Sequence, residues 1–421
     1  MKILNQSKHF DAIQSIQKKL LGKKLSYYEI YNLMDKISKN NLGDILTTYF
    51  IAASFKEGFN DDELYEFTKA MVETGTKMKF DGIIADKHSI GGIAGTRTTL
   101  IVVPLIAEAG FKIPKTSSRA ITTPAGTADV MEIMANVSFT PNQIKKIVDE
   151  TGGCIVWGGH LGIAPADDKI IDIEEELSFE SFDKIIVSIM AKKVAMSVNH
   201  LILDMPIGSS MKIKHSKDAE KVEAKFKKIA KKFNINLEVD INEIKEPAGC
   251  GIGPYLEARD ALFVLEQKKD RPIFLEEKAI KLATQLLEMC YKTSNIEKDP
   301  EKEIREILTS GRALKKFKQI VHAQGGIKNI SSANLKIKAN QINISSNIYG
   351  KIKKVNNYNL NMIAKLLGAP KDKQAGVYLY KRITDKINKK EKLLTLYSSE
   401  QYKIKEAKET LKNFPIYEIA K

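Results

Sequence analysis

The fourteen residues Asp86 to Thr99, DKHSIGGIAGTRTT, gather the groups that hold an oxyanion. Glycines at 91, 92 and 95 let backbone N–H groups approach an anion, Lys87 supplies positive charge, and Ser89 and Thr98 supply hydroxyls. The segment leads into TLIVVPLIAEAG, a helix-like run whose N-terminal dipole favours negative charge. Phosphate binding is the chemistry this suits; an ordinary glycine-rich strand-to-helix turn is the other reading. A second cluster, KTSSRAITTPAGTAD (115–129), places the hydroxyls of Thr116, Ser117, Ser118, Thr122, Thr123 and Thr127 beside Arg119 and a Pro/Gly turn. Alone it reads equally as a polar surface loop. Two such segments, with an apolar helix of the right length to return the chain between them, suit one shared site better than two separate loops.

These segments need elements to carry them. From Phe10 to about Lys79 apolar residues recur every three or four positions, the pattern of amphipathic helices. Ser26 with Glu29, and Asn60 with Glu63, have the spacing of capping boxes at helix starts. Between about Lys79 and Ser331 short apolar runs such as CIVW and LILDM alternate with glycine-rich turns and helical stretches such as DAEKVEAKFKKIAKKF, which predicts an α/β layer. From Leu335 onward, LKIKANQINISSNIYGKIKKV, VYLYKRI and LLTLYS alternate polar and apolar residues and predict a mostly β segment with one or two helices. The expected division is a helical domain over 1–79, completed by helices near 180–205, an α/β domain over 80–332 and a β-rich domain over 333–421.

Composition narrows the function classes. The 421 residues are 43% hydrophobic and 28% charged, as in globular proteins, and the longest apolar stretch, Thr99 to Phe111, is broken by Pro104 and Glu108. No membrane span and no signal peptide is expected, which places the protein in the cytoplasm. Cys154, Cys250 and Cys290 lie far apart, in neither a disulfide nor a metal-ligand spacing. The net charge of +15 invites a nucleic-acid reading, yet only seven of 67 basic residues are arginines and the lysines are spread along the whole chain. That distribution favours solvated surfaces over a nucleic-acid interface.

The blocks DKHSIGGIAGTRTT, KTSSRAITTPAGTADVMEIMANV, GGCIVWGGHLGIAPADD, GCGIGPYLEARDAL and GAPKDKQAGVYLYKR, in this order, resemble the thymidine/pyrimidine-nucleoside phosphorylase family and most strongly its archaeal-type branch, the AMP phosphorylases. The resemblance runs from about residue 10 to the C-terminus. It implies an α/β fold class of the nucleoside phosphorylase class II type: a helical domain, an α/β domain and a small C-terminal β-rich α+β domain, assembled as a homodimer through the helical domain. It puts phosphate on Lys87, Ser89, Thr98, Ser117 and Thr127. Nucleotide contacts fall on Gly92, on the run Ser118, Arg119, Ala120, Ile121, Thr122 and Thr123, and on Thr127, Ser188 and Lys212, with His88 and Lys192 near sugar and base. The other histidines, 9, 160, 200, 215 and 322, are taken as surface or structural. The branch's proton-donating Asp corresponds to Glu180 here, one methylene longer, with Asp183 nearby as a substitute and a solvated acidic helix end as the bland reading. Archaeal members also carry a further domain ahead of the helical one.

No metal or organic cofactor is expected; inorganic phosphate is the co-substrate, and the partners foreseen are small molecules and a second copy of the chain, with no nucleic acid and no membrane. A departing purine takes a proton at N7, which suits a carboxylic acid, whereas a departing pyrimidine suits Arg or Lys. The stretch Asp168 to Val187 contains carboxylates and no arginine, favouring AMP-like phosphorolysis to free base and ribose 1,5-bisphosphate. A pyrimidine-nucleoside phosphorylase is the nearest alternative. A Mg-dependent phosphoribosyltransferase and a basic RNA-binding protein are the alternatives from other classes.

Overall fold

The computed structural model describes residues 2–120, 123–159, 161–177 and 181–420. Contacts divide the chain into two compact units, one of residues 1–84, 158–200 and 220–237, the other of residues 85–157, 201–219 and 238–421.

The first unit is helical. Its helices Lys2–Leu20, Tyr27–Ser38, Asp44–Glu57 and Asp61–Glu73 are joined by Pro165–Leu177, Phe182–Ala195 and most of Ser216–Lys232. Both expected capping boxes form: Ser26 and Asn60 accept backbone N–H groups of the first turn while Glu29 and Glu63 reach back to the cap. Glu63 does more than cap, since its carboxylate also meets the buried Lys19 ammonium at 3.0 Å. The stripe Ile30, Leu33, Met34 and Ile37 is buried, and Phe50, Phe59 and Phe67 pack ring against ring. Lys228 and Lys232 pair with Asp61 and Asp62 and so tie the Ser216–Lys232 helix to the N-terminal bundle.

The second unit contains the α/β layer and the β-rich end of the chain. Strand Ala85–Ser89 pairs with His200–Ile207, which pairs in turn with Asn236–Glu243; Ile113–Ser117 runs parallel to Gly153–Trp157. Helix Thr99–Glu108 is apolar on every side and buried from Thr99 to Ala107, as a helix without a polar face must be. Its neighbours include the helices Ile273–Ser294 and Arg312–Ala323. Towards the C-terminus one sheet orders Gly251–Ile252, Gly376–Leu379, Lys392–Ser398 and Asn340–Ser345, and another orders Lys386–Ile387, Gly350–Val355 and Tyr417–Ala420. Helices Asn357–Leu366 and Gln401–Asn413 close this core around Leu360, Ile363, Val377, Leu396 and Ile404. The fold class is the one expected: helical, α/β and β-rich α+β parts in a single chain.

Candidate active site

Strand Ala85–Ser89 ends where the glycine turn begins, so Lys87, His88 and Ser89 sit at its C-terminal edge. Lys87 is 3% exposed. Its nearest anion is Asp204 on the neighbouring strand, with Nζ 3.9 Å from Oδ2. Burial lowers the Lys87 pKa to about 8; Asp204 opposes that fall, and the cations Lys278 and Arg97 add to it. Asp204 is also held by Lys278 at 2.9 Å and by the Asn242 amide at 3.1 Å. Its own burial pushes the carboxyl up, but Lys278 and Lys87 outweigh burial and keep it below the usual carboxylate range.

The turn approaches a second segment closely. Gly92 has φ 104°, and a Cβ built there would stand 3.5 Å from the backbone nitrogen of Lys212. Gly92 and Lys212, more than a hundred residues apart in the chain, are thus adjacent. Thr98 closes the turn at the start of helix Thr99–Glu108; it is fully buried, and its Oγ1 has no hydrogen-bond partner among the described residues. A buried hydroxyl in that state is costly unless something else takes its proton.

Arg97 joins the two sequence clusters. Its Nε pairs with the buried Glu257, Nη2 donates to the Ala125 carbonyl, and Nη1 lies 3.5 Å from the Thr127 hydroxyl. The loop 118–127 therefore docks on the glycine turn through one guanidinium. Ser117, at the end of its strand, donates to the Val156 carbonyl at 3.1 Å. Gly126 is obligatory, because a Cβ there would fall 2.3 Å from the carbonyl carbon of Arg119. Thr123 donates to the Ala125 carbonyl at 2.9 Å, and Thr127 opens the short helix Thr127–Met131. The Arg119 guanidinium turns onto Glu132 at 2.6 and 2.8 Å and onto Asp129 at 3.2 Å, stacked 4.8 Å from the Trp157 ring centroid. Ile121, Thr122 and Glu180 lie outside the described residues, as does His160.

Ser188 and Lys192 belong to the first unit, one turn apart on helix Phe182–Ala195, and face a common acceptor. Ser188 Oγ donates to Asp167 Oδ2 at 2.7 Å and Lys192 Nζ meets the same oxygen at 2.7 Å. Burial raises the Asp167 carboxyl, yet Lys192 and Lys184 more than compensate and hold it below the ordinary range. Asp183 accepts the Phe59 N–H at 2.8 Å and pairs with Lys225, a structural commitment that leaves it poorly suited to replace Glu180 as an acid.

Three family descriptions match the chain in order: the glycosyl transferase helical bundle domain over residues 13–75, the glycosyl transferase a/b domain over 81–252 and the pyrimidine nucleoside phosphorylase C-terminal domain over 351–417. The AMP phosphorylase of Methanocaldococcus jannaschii is 42% identical over 398 residues, covering 94% of this chain and 78% of that protein. AMP phosphorylase 1 of Archaeoglobus fulgidus is 38% identical over 397 residues, with the same two coverages. The chain belongs to the AMP phosphorylase family. At the level of fold alone, anthranilate phosphoribosyltransferase from Thermus thermophilus superposes with a TM-score of 0.61 at 16% identity, over 74% of this chain and 99% of that one.

Several residues of this family member's site were invisible to sequence reasoning. Asp167, Asp204, Glu257, Asp129 and Lys278 make the contacts that aim Lys192, Lys87, Arg97, the loop and Asp204 respectively. Of these only Asp204 stands out in the sequence, as a single carboxylate inside the apolar run LILDMPI; Asp167, Glu257 and Lys278 sit among other charged residues. Among the described residues no group of three or more His, Cys, Asp or Glu side chains could hold a metal ion, and no helix is long and apolar enough to cross a membrane.

Proposed function

We propose that the chain catalyses phosphorolysis of AMP or a closely similar nucleoside 5′-monophosphate, releasing the base and forming ribose 1,5-bisphosphate. The observation that carries the phosphate half is the buried Lys87 ammonium, with its pKa lowered to about 8, in the unit that also holds the unpartnered Thr98 hydroxyl and the two loops bridged by Arg97. An incoming phosphate dianion supplies the counter-charge that Lys87 shares only at 3.9 Å with Asp204, so binding it returns Lys87 to full charge. Lys87, Ser89, Thr98, Ser117 and Thr127 are the proposed donors. A phosphate oxygen forms the bond to C1′ as the C1′–N9 bond breaks, and the bonding pair leaves with the base.

The leaving base needs a proton at N7, and Glu180 is the proposed donor; fixed positioning supplies the larger part of the acceleration and the acid on the order of 10²- to 10⁴-fold. His88, Gly92, the run from Ser118 to Thr123, Thr127 and Lys212 are proposed to hold the nucleotide, together with Ser188 and Lys192, whose hydroxyl and ammonium Asp167 orients. On the same reading the enzyme needs neither metal nor organic cofactor and works in the cytoplasm as a homodimer. Exposed Tyr28, Ile45 and Tyr49 on the helical unit support an interface there. The test is a screen for base release with and without inorganic phosphate over AMP, adenosine, uridine and thymidine, with EDTA present throughout. Phosphate-dependent release confined to the nucleosides would transfer the assignment to a nucleoside phosphorylase.

A further inference from the structure

One carboxylate ties residue 120 to residue 126. Asp129 Oδ2 accepts the backbone N–H groups of Ala120 at 2.7 Å and Gly126 at 2.9 Å, so a single oxygen holds these two backbone positions together. The other oxygen, Oδ1, lies 3.2 Å from Arg119 Nη1 and 3.2 Å from Lys373 Nζ. The same two cations meet again on Glu132 Oε2, Arg119 Nη1 at 2.8 Å and Lys373 Nζ at 3.0 Å. Arg119 alone would leave two neighbouring carboxylates sharing one cation, and like charges so placed repel. Lys373 completes a cluster of two cations and two anions. Glu132 responds with a pKa lowered to about 2, through the Arg119 hydrogen bond first and Lys373 after it.

Lys373 comes from far along the chain, 244 residues after Asp129, in the block GAPKDKQAGVYLYKR before strand Gly376–Leu379. Its backbone is fixed. The Lys373 carbonyl accepts the Tyr255 N–H at 3.1 Å, Asp372 accepts from Gln374 at 3.0 Å and Ser399 at 2.8 Å, and Gln374 Oε1 accepts from Lys338 and Ala339 at 2.7 and 2.9 Å. An ammonium on an anchored stem loses less conformational entropy on pairing than one on a free loop.

We infer that Lys373 is a positioning residue for the nucleotide loop: it balances the second carboxylate, so that Asp129 keeps Oδ2 on Ala120 and Gly126. The β-rich end of the chain thereby reaches into substrate binding without touching substrate. The kinetic part of this inference rests on the proposed nucleotide role of residues 118–123; the clasp itself does not.

The test compares the full-length wild type with Lys373→Met, which keeps the stem and removes the charge, and with Lys373→Arg, which restores it. Amide hydrogen exchange on the ligand-free protein reads the clasp, and steady-state rates with AMP and phosphate read its consequence. In Lys373→Met, exchange at Ala120 and Gly126 rises about fivefold or more while peptides from strand Lys392–Ser398 stay unchanged, and KM for AMP rises about five- to tenfold with kcat within about twofold of wild type. Lys373→Arg recovers most of both. Unchanged exchange at Ala120 and Gly126, or equal acceleration across the whole molecule, overturns the clasp whatever the activity. Faster local exchange with an unaltered KM for AMP overturns its link to the nucleotide. A wild type inactive on AMP refutes the proposed function instead, and the exchange result then decides on the clasp alone.

Discussion

Lys87 and Asp204 face each other inside the second unit, Nζ 3.9 Å from Oδ2, too far for a hydrogen bond and close enough to influence each other's titration. The Lys87 pKa is lowered to about 8, so the free enzyme should lose phosphate affinity as pH rises through that value. The kcat/KM for phosphate reports the free enzyme and is the quantity to follow. In Asp204→Asn the charge that favours the ammonium is gone, so the alkaline limb moves to lower pH. A limb that stays in place would remove Lys87 as the titrating phosphate ligand.

The buried hydroxyl of Thr98 gives an unusually clean substitution. Thr98→Val removes an oxygen that has no partner among the described residues and keeps the shape of the side chain. The ligand-free protein should be as stable as wild type or slightly more so, because no hydrogen bond is lost and a buried polar group is removed. Its KM for phosphate should nevertheless rise about tenfold or more, the scale of a hydrogen bond to a charged group. Thermal melting and phosphate titration separate the two effects, and a stable variant with an unchanged KM would show that the hydroxyl takes no part in binding.

Arg97 links the glycine turn to the second segment and to the buried Glu257. Its partner Glu257 is buried, and the same guanidinium reaches Ala125 and Thr127 across the loop. Arg97→Met leaves Glu257 buried without its cation, a change that costs about 3–5 kcal/mol in other buried pairs. Loss of Tm together with a higher KM for phosphate is expected. Glu257→Gln keeps the shape and one of the two acceptor oxygens, which serve Gly253 and Arg97 separately, and leaves no unpaired buried carboxylate, so it should lose less of each.

Glu180 is a proposal from sequence alone. Glu180→Gln should lower kcat on AMP roughly 10²-fold or more with little change in KM, because the proton is needed only as the base departs. With Asp183 occupied by Phe59 and Lys225, a near-normal kcat would move the role to His88 or to solvent.

What the sequence made legible was local. The capping boxes at Ser26 and Asn60, the all-apolar helix Thr99–Glu108 and the alternating C-terminal strands follow from spacings of two to four residues, and each forms as expected. The two segments that Arg97 bridges are legible too, since their glycine and hydroxyl clusters stand out in the sequence. The contacts that aim them were not. Asp129 meets Lys373, Arg97 meets Glu257, and Ser188 meets Asp167 over separations of 21 to 244 residues that no periodicity encodes. The strand Gly251–Ile252 is hidden in the sequence for a similar reason: two residues carry no alternation, and only pairing with Gly376–Leu379 makes them a strand. The guanidinium of Arg119 lies on Glu132, Asp129 and Trp157, partners that its neighbours in the chain do not reveal.

The most direct test of the central claim is the initial rate of adenine release from AMP with and without inorganic phosphate, with adenosine run in parallel. Release should require phosphate, with ribose 1,5-bisphosphate formed in equal amount and a kcat/KM for AMP about tenfold or more above that for adenosine, as charged hydrogen bonds to the 5′-phosphate imply. Adenine released equally fast without phosphate, or a ratio near one between AMP and adenosine, would contradict it.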